Sequence, residues 1–98
     1  MEFLVIAHDG TDEGALDRRM KVREEHLAHA RRMKQQGHLI EGGALLDPEG
    51  KMIGSTLYVR FDTLEALNRY LGGDPYTTGQ VWLRTEIYPI KLAELDVE

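Results

Sequence analysis

The sequence predicts an α+β domain of the ferredoxin-like βαββαβ type, in which a four-stranded antiparallel sheet carries its helices on one face. Three observations predict this fold: a doubly apolar strand at residues 3–7, a long helical pattern over residues 15–36, and a turn motif at residues 47–50 between two strand-like runs. At 98 residues, the chain is expected to form a single domain, residues 1–98, with a C-terminal tail at residues 91–98.

The first strand is predicted from Phe3 to Ala7, a continuous apolar run. Side chains alternate between the two faces of a sheet, so Phe3 and Val5 lie on one face while Leu4 and Ile6 lie on the other. Helices on one face leave the second face bare, and an apolar second face needs a cover. The simplest cover is the same sheet from another copy, which predicts a two-fold homodimer.

Residues 15–36 carry a helical pattern that ends at Gly37, because glycine tolerates the left-handed conformation at a helix C-terminus. Four apolar residues recur at helical spacing and form the predicted buried stripe: Leu16, Met20, Leu27 and Ala30. Arg23 lies near the centre of this stripe and His26 on its flank. Two polar groups are therefore predicted to point towards the sheet.

A hairpin is predicted from two strands, residues 38–46 and 52–61. Its turn is Asp47-Pro48-Glu49-Gly50, because proline presets the second backbone position and glycine relieves the fourth. The pair Gly42-Gly43 weakens the first of these strands and predicts a bulge or a close backbone approach. Four residues of the second strand are expected to share one face: Ile53, Leu57, Val59 and Phe61.

The last third of the chain contains two helix starts and a final strand. Residues 62–71 are predicted to form a helix with Asp62 as its N-terminal cap. Asp74 followed by Pro75 predicts a second helix start, since aspartate caps and proline fits the first helical position. Residues 81–90 are predicted to form the last strand.

The composition excludes several classes of function. The chain has no cysteine, which excludes disulfides, thiolate nucleophiles and cysteine-ligated metals. Its net charge of −5 argues against a nucleic-acid partner. The N-terminal apolar run is too short for a signal peptide or a membrane span, so we expect a cytoplasmic protein without membrane association. The sequence has no GxGxxG, phosphate-loop or GxSxG motif.

Five residues could take part in chemistry, and each has a simpler explanation. His26 is the candidate general acid or base, because an imidazole titrates near neutrality. The alternative is that Arg23 and His26 belong to a structural network of satisfied polar groups. Asp74 is explained equally well as a helix cap, Tyr76 as a partly buried ring, and Ser55 as a small packing residue.

The other histidines do not form a recognisable metal site. None of His8, His29 and His38 has HExxH spacing or a carboxylate at ligand spacing. His26 and His29 are three positions apart on one helix, but that spacing alone is weak and we expect His29 to be solvated. We therefore predict that no metal and no other cofactor is required.

Six short segments carry a resemblance to a known family. They are R-x-x-H-L at residues 23–27, G-x-L followed by G-G at 37–43, G-S at 54–55, F-x-T-x-E-A at 61–66, D-P-Y followed by G and V at 74–81, and Pro89. In this order and spacing they are similar to the YciI-like family, whose domain is called YCII-related. The resemblance spans essentially the whole chain. One departure is a short loop between the second and third strands, which predicts a more open pocket mouth.

The resemblance implies a dimeric α/β barrel and a His–Asp pair made of His26 and Asp74. It does not define the reaction, because the family is largely uncharacterised and a few relatives are cofactor-free dehydrochlorinases. The first hypothesis is a cofactor-independent enzyme of the lyase, hydrolase or isomerase type that acts on a small anionic or aromatic molecule. His26 would transfer a proton, and Asp74 would orient it. Arg23 would hold an anionic group, while Ser55 and Tyr76 would donate hydrogen bonds to the substrate.

Two alternatives come from other classes of protein. The chain could be a dimeric ligand-binding or accessory protein without turnover, in which the His–Asp pair is structural. By fold analogy alone, it could also be a cofactor-free oxygenase.

Overall fold

The computed structural model describes residues 1–96. Within this range the elements follow in the order β1 (Glu2–Asp9), α1 (Ala15–Gln35), β2 (Leu39–Leu46), β3 (Met52–Arg60), α2 (Leu64–Gly72), α3 (Pro75–Thr78) and β4 (Trp82–Pro89). The strands form one antiparallel sheet in the order β2-β3-β1-β4. This arrangement confirms the predicted ferredoxin-like α+β fold with its helices on one face.

Two local features, the cap of α2 and the irregularity of β2, lie at other positions in the structure than predicted. Thr63, not Asp62, caps α2, and its Oγ1 accepts a hydrogen bond from the backbone N–H of Ala66 at 3.0 Å. The register of β2 shifts between Leu39 and Glu41 and again between Leu45 and Leu46, on either side of the glycine pair that was expected to form a bulge. Asp62 lies one residue too early to serve the first turn of α2, because a cap side chain reaches only the second or third N–H that follows.

The predicted turn and helix end are confirmed. Gly50 has φ +85° and its N–H donates to the carbonyl of Asp47 at 3.0 Å. Gly37 has φ +82°, the left-handed conformation that favours glycine after a helix. The close backbone approach occurs at Gly54, where a Cβ atom would lie 2.4 Å from the carbonyl oxygen of Ala7. Only a glycine allows β1 and β3 to pack this closely at that point.

The core lies between the helices and one face of the sheet. Its largest fully buried side chains are Phe3, Val5, Leu67, Tyr76, Val59, Val81 and Asp74. Leu57, Val59 and Phe61 lie in the core as predicted, whereas Ile53 is 48% exposed. Ile53 differs because it lies at the hairpin end of β3, where it lines an open cleft.

The buried face of α1 is not the predicted apolar stripe. Leu16 and Met20 are exposed, by 37% and 51%, while the buried residues of the helix are Ala15, Arg19 and His26. A buried guanidinium is tolerated when it is paired and hydrogen-bonded, and Arg19 meets both conditions at Asp9. The prediction was wrong for Leu16 and Met20, while Ala30 packs against the core as predicted. It counted Arg23 and His26 as the polar side chains that face the sheet and did not include Arg19, whose burial depends on a partner in another element.

The opposite face of the sheet carries apolar side chains and no helix among residues 1–96. Leu4 and Ile6 of β1 are half-buried there, and Tyr88 of β4 is 50% exposed. The register pairs Leu4 with both Tyr58 and Tyr88, so these side chains form one contiguous patch. None of the helices in the described range has the length and hydropathy needed to cross a membrane.

Candidate functional site

His26 and Asp74 meet although they are 48 positions apart in the chain. Nδ1 of the imidazole lies 2.7 Å from Oδ1 of the carboxylate, and the Asp74 side chain is completely buried. The long helix α1 presents His26 on its sheet-facing side, and the start of α3 presents Asp74. A carboxylate can only accept hydrogen bonds, so Nδ1 carries the proton and Nε2 is the nitrogen left for other partners.

Asp74 also serves as the cap of α3. Its Oδ1 accepts the backbone N–H of Tyr76 at 2.8 Å, and Pro75 occupies the first helical position. The two explanations considered for Asp74, a helix cap and a histidine partner, are therefore both true. Because the carboxylate is held by its own helix, the imidazole that contacts it is also held in a defined orientation.

His29 is a third member of this cluster, contrary to the expectation that it would be solvated. Its Nδ1 lies 3.3 Å from Oδ2 of Asp74, and its side chain is 14% exposed. The ring stacks on Tyr70 with a centroid distance of 5.0 Å and an interplanar angle of 11°. The signal that could have found it was the three-residue spacing from His26, which places both rings on one side of α1.

Two aromatic side chains surround the His26 ring. Tyr76 stacks on it with a centroid distance of 3.8 Å and an interplanar angle of 10°, and Trp82 meets it edge-on at 5.6 Å. Burial raises the pKa of the Tyr76 hydroxyl above its usual value, although Arg19 and Arg23 oppose that shift. The Tyr76 hydroxyl therefore stays protonated at neutral pH and remains a hydrogen-bond donor.

Next to His26 lies a buried polar network that the sequence analysis missed. The Nη1 group of Arg19 donates to both carboxylate oxygens of Asp9 at 3.0 and 3.1 Å. Its Nη2 group donates to Oγ of Ser55 at 2.9 Å, and the indole N–H of Trp82 donates to the same oxygen at 3.1 Å. Burial raises the pKa of the Asp9 carboxyl, and Arg19 opposes the shift. The position of Arg19, two helical turns before His26, was the available signal.

A cavity of about 360 Å³ lies between α1 and strands β2 and β3, and we call it the His26 cavity. Four of the five sequence-predicted site residues line it: Arg23, His26, Ser55 and Tyr76. Asp74 does not line it and instead supports His26 from behind. The remaining wall is largely apolar or glycine: Leu27, Ala30, Leu39, Gly42, Gly43, Ala44 and Leu57.

The cations of the His26 cavity differ in whether they are paired. Arg19 is neutralised by Asp9, and Lys34 lies 3.3 Å from Oε1 of Glu41. Arg23 is half-buried at the cavity and, within residues 1–96, makes no ion pair or side-chain hydrogen bond. Arg23 is thus the cation that is available to an anionic group in the cavity.

A second, more open cleft of about 690 Å³ lies at the hairpin end of the sheet. Asp12 on its rim is neutralised by Arg18, whose guanidinium lowers the pKa of that carboxyl to about 2. Asp9 also lines this cleft, where Arg19 neutralises it, whereas the His26–Asp74 pair lies at the His26 cavity. In the described range, no three His, Asp or Glu side chains are arranged to hold a metal ion. The expectation that no cofactor is required stays a prediction.

The fold and this site define a class of small α+β proteins in which an antiparallel sheet and its first helix enclose a cavity beside a His–Asp pair. The chain belongs to the family of the YCII-related domain, whose model matches residues 1–91. The family resemblance seen in the sequence is therefore confirmed.

Two relatives match over nearly their full length. Protein YciI of Escherichia coli O6:H1 (strain CFT073) is 30% identical over 97 residues, which cover 93% of this chain and 97% of that protein. An uncharacterized protein of Haemophilus influenzae is 29% identical, with the same coverage of both chains.

Two solved structures are similar in fold. One is 5-chloro-2-hydroxyhydroquinone dehydrochlorinase (TftG) from Burkholderia phenoliruptrix AC1100, in complex with 2,5-dihydroxybenzoquinone. Its TM-score is 0.82 at 23% identity, covering 95% of this chain and 96% of that chain. The other is an antibiotic biosynthesis monooxygenase with a TM-score of 0.52 at 13% identity, covering 94% and 99% of the two chains. At these identities the similarity shows the fold alone.

Proposed function

We propose that this protein is a cofactor-independent enzyme in which His26 transfers a proton to or from a small molecule bound in the His26 cavity. The observation that carries the proposal is the imidazole itself, which is bonded through Nδ1 to a buried carboxylate and lines a cavity. In general acid–base catalysis, a carboxylate often holds a histidine in one tautomer and one orientation, and the other ring nitrogen exchanges a proton with the substrate. The His26–Asp74 pair has this arrangement.

Each neighbour of His26 has a defined part in this proposal. Asp74 keeps the proton on Nδ1, so that Nε2 is free to accept a proton from the substrate and to return it. Tyr76 stacks on the ring and limits its rotation. The carboxylate of Asp74 also stabilises the imidazolium that forms when Nε2 is protonated.

The cavity favours a small anionic or aromatic substrate. Arg23 supplies a positive charge that is unpaired within the described range 1–96, and its planar guanidinium suits a carboxylate or a phenolate. The apolar wall formed by residues such as Leu27 and Leu57 suits a flat ring or a short aliphatic body. A lyase-like or hydrolase-like reaction fits this set of groups. The dehydrochlorinase of similar fold, described with a bound dihydroxybenzoquinone, is a chemical precedent for such a substrate.

The test is a turnover screen with small carbonyl acids and chlorinated hydroquinones, followed by NMR detection of product and of deuterium incorporation from D₂O. The variant His26→Gln should reduce the turnover by about 10²–10⁴-fold, the usual contribution of a general acid or base. The matched control is His38→Gln, which makes the same substitution on a ring that stacks on Phe61 outside the cavity. Turnover that survives in His26→Gln would contradict the proposal.

A ligand-binding protein without turnover is the second candidate. The observation that favours it is the commitment of Asp74 to three bonds, including the cap of α3, which by itself explains a buried aspartate. Under this alternative, a ligand found by the screen binds the wild type and His26→Gln without being converted by either. A cofactor-free oxygenase is supported only by the fold similarity to the monooxygenase.

We also propose that the protein is a homodimer that packs through the outer face of its sheet. Leu4, Ile6 and Tyr88 form an apolar patch on a face that no helix of residues 1–96 covers. Packing a second sheet on this face would remove the patch from water without exposing other apolar surface. The oligomeric state in solution is the direct test.

A further inference from the structure

We propose that Ser55 forms a subsite that can only donate a hydrogen bond, and that it selects substrates with a carbonyl-type oxygen. This inference rests on the proposed function in one respect, since it takes the His26 cavity to be the ligand site. The additional claim is that a ligand presents a carbonyl-type oxygen on the sheet side of the cavity.

The hydrogen bonds of Ser55 decide its role. A hydroxyl group has two acceptor positions and one proton. Arg19 and Trp82 both carry N–H groups that can donate but cannot accept, and both point at Oγ of Ser55, at 2.9 and 3.1 Å. The two acceptor positions are therefore filled. The proton of the hydroxyl remains, and within residues 1–96 it has no hydrogen-bond acceptor.

The surroundings prevent Ser55 from changing this role. Arg19 is 3% exposed and is held by two bonds to Asp9, and Trp82 is 6% exposed. If the hydroxyl accepted a bond from a ligand, one of these buried donors would lose its partner, which is costly. The bond from the guanidinium also polarises the O–H group and strengthens it as a donor.

The charge at this end of the cavity specifies the kind of oxygen. Asp9 neutralises Arg19, so the Ser55 end offers a hydrogen bond without an excess positive charge. Arg23 is the cation of the same cavity that has no partner among residues 1–96. The ligand that fits both ends has an anionic group for Arg23 and a neutral carbonyl oxygen for Ser55.

The Ser55 subsite is also adjacent to the reactive imidazole. One indole ring links the two, because Trp82 donates to Ser55 and meets the His26 ring edge-on at 5.6 Å. A carbonyl oxygen on Ser55 would place the α-carbon, the carbon next to that carbonyl group, on the side of His26. A proton on that carbon is the kind that a base removes most readily, since the carbonyl oxygen takes up the resulting negative charge.

The test compares two benzoates of similar shape, 4-acetylbenzoate and 4-isopropylbenzoate, of which only the first has a carbonyl acceptor. Binding is followed by calorimetry and by the fluorescence of Trp82, the single tryptophan of the chain. We expect 4-acetylbenzoate to bind the wild type about 5- to 10-fold more tightly, as for one neutral hydrogen bond. In Ser55→Ala this ratio should fall to about one. It should not change in Thr78→Ala, which removes an exposed hydroxyl on α3.

The outcomes separate this inference from the proposed function. Equal affinity of the two benzoates for the wild type, which needs no variant to fold, would overturn the donor-only subsite. A ratio that persists in Ser55→Ala would overturn it as well, and binding of neither benzoate would overturn both the subsite and the cavity assignment. If the ratio is as expected but His26→Gln retains turnover, the subsite stands and the proton-transfer proposal fails.

Discussion

His26 donates its Nδ1 proton to Asp74 across a distance of 2.7 Å, and solvent does not reach the carboxylate that accepts it. The same carboxylate caps α3 and contacts His29. The buried Asp74 side chain thus joins α1 to α3. The carboxylate that would orient the His26 imidazole therefore also contributes to the packing of the two helices. Substitutions at Asp74 are therefore expected to change both activity and stability.

Asp74→Asn should lower the free energy of unfolding by about 1–3 kcal/mol, because the buried donors that it satisfies lose a charged acceptor. Its matched control is Asp62→Asn, an exposed aspartate that does not cap α2, for which we expect a change within about 0.5 kcal/mol. Urea denaturation followed by Trp82 fluorescence measures both. Equal effects of the two substitutions would show that the bonds of Asp74 add nothing to stability.

Removing Arg19 should destabilise the fold strongly, although the sequence analysis did not place it in the core. Arg19→Met leaves the Asp9 carboxylate buried without a partner, which typically costs about 3–5 kcal/mol. Adding Asp9→Leu to this variant should restore part of the loss, since no unpaired charge then remains. Arg18→Met is the control, because its pair with Asp12 is exposed to solvent and should matter little. A double variant no more stable than Arg19→Met would contradict the explanation.

The folded state should weaken in strong alkali because of two buried tyrosines. Burial raises the pKa of both Tyr70 and Tyr76 above the usual value of about 10. The fold therefore favours the neutral phenols, and this contribution is complete below pH 10 and is lost as the pH rises through the folded-state pKa values. Stability measured against pH should fall above about 10 in the wild type and less steeply in Tyr76→Phe. Identical slopes would show that the Tyr76 hydroxyl does not contribute to the loss of stability in alkali.

The outer face of the sheet should mediate self-association. The wild type is expected to sediment as a dimer at micromolar concentration, and Ile6→Arg as a monomer, because a charge in the apolar patch would be buried without a partner. Met20→Arg makes the same kind of change on an exposed position of α1 and should leave the dimer intact. A wild-type protein that sediments as a monomer would rule out the proposed dimer.

Much of the fold is predictable from local signals in the sequence. The strands follow from alternating or continuous apolar runs, and the turn at residues 47–50 follows from its proline and glycine. The position of Asp74 before Pro75 predicted a helix start, and the structure confirms that cap. The pairing of Asp74 with His26 followed only from the family resemblance, because local patterns do not connect residues 48 positions apart.

The sequence by itself determined the elements of this protein, their order and the candidate residues, because backbone propensity and side-chain periodicity act over a few neighbouring residues. The tertiary structure decided which polar side chains are buried. Arg19 lies in the core and Leu16 on the surface because Asp9, on a different element, compensates the cost of burying a guanidinium. His29 is also largely buried because a carboxylate on another element, that of Asp74, contacts its ring nitrogen. The free energy of a buried polar group depends on its partners, and only the folded chain brings those partners together.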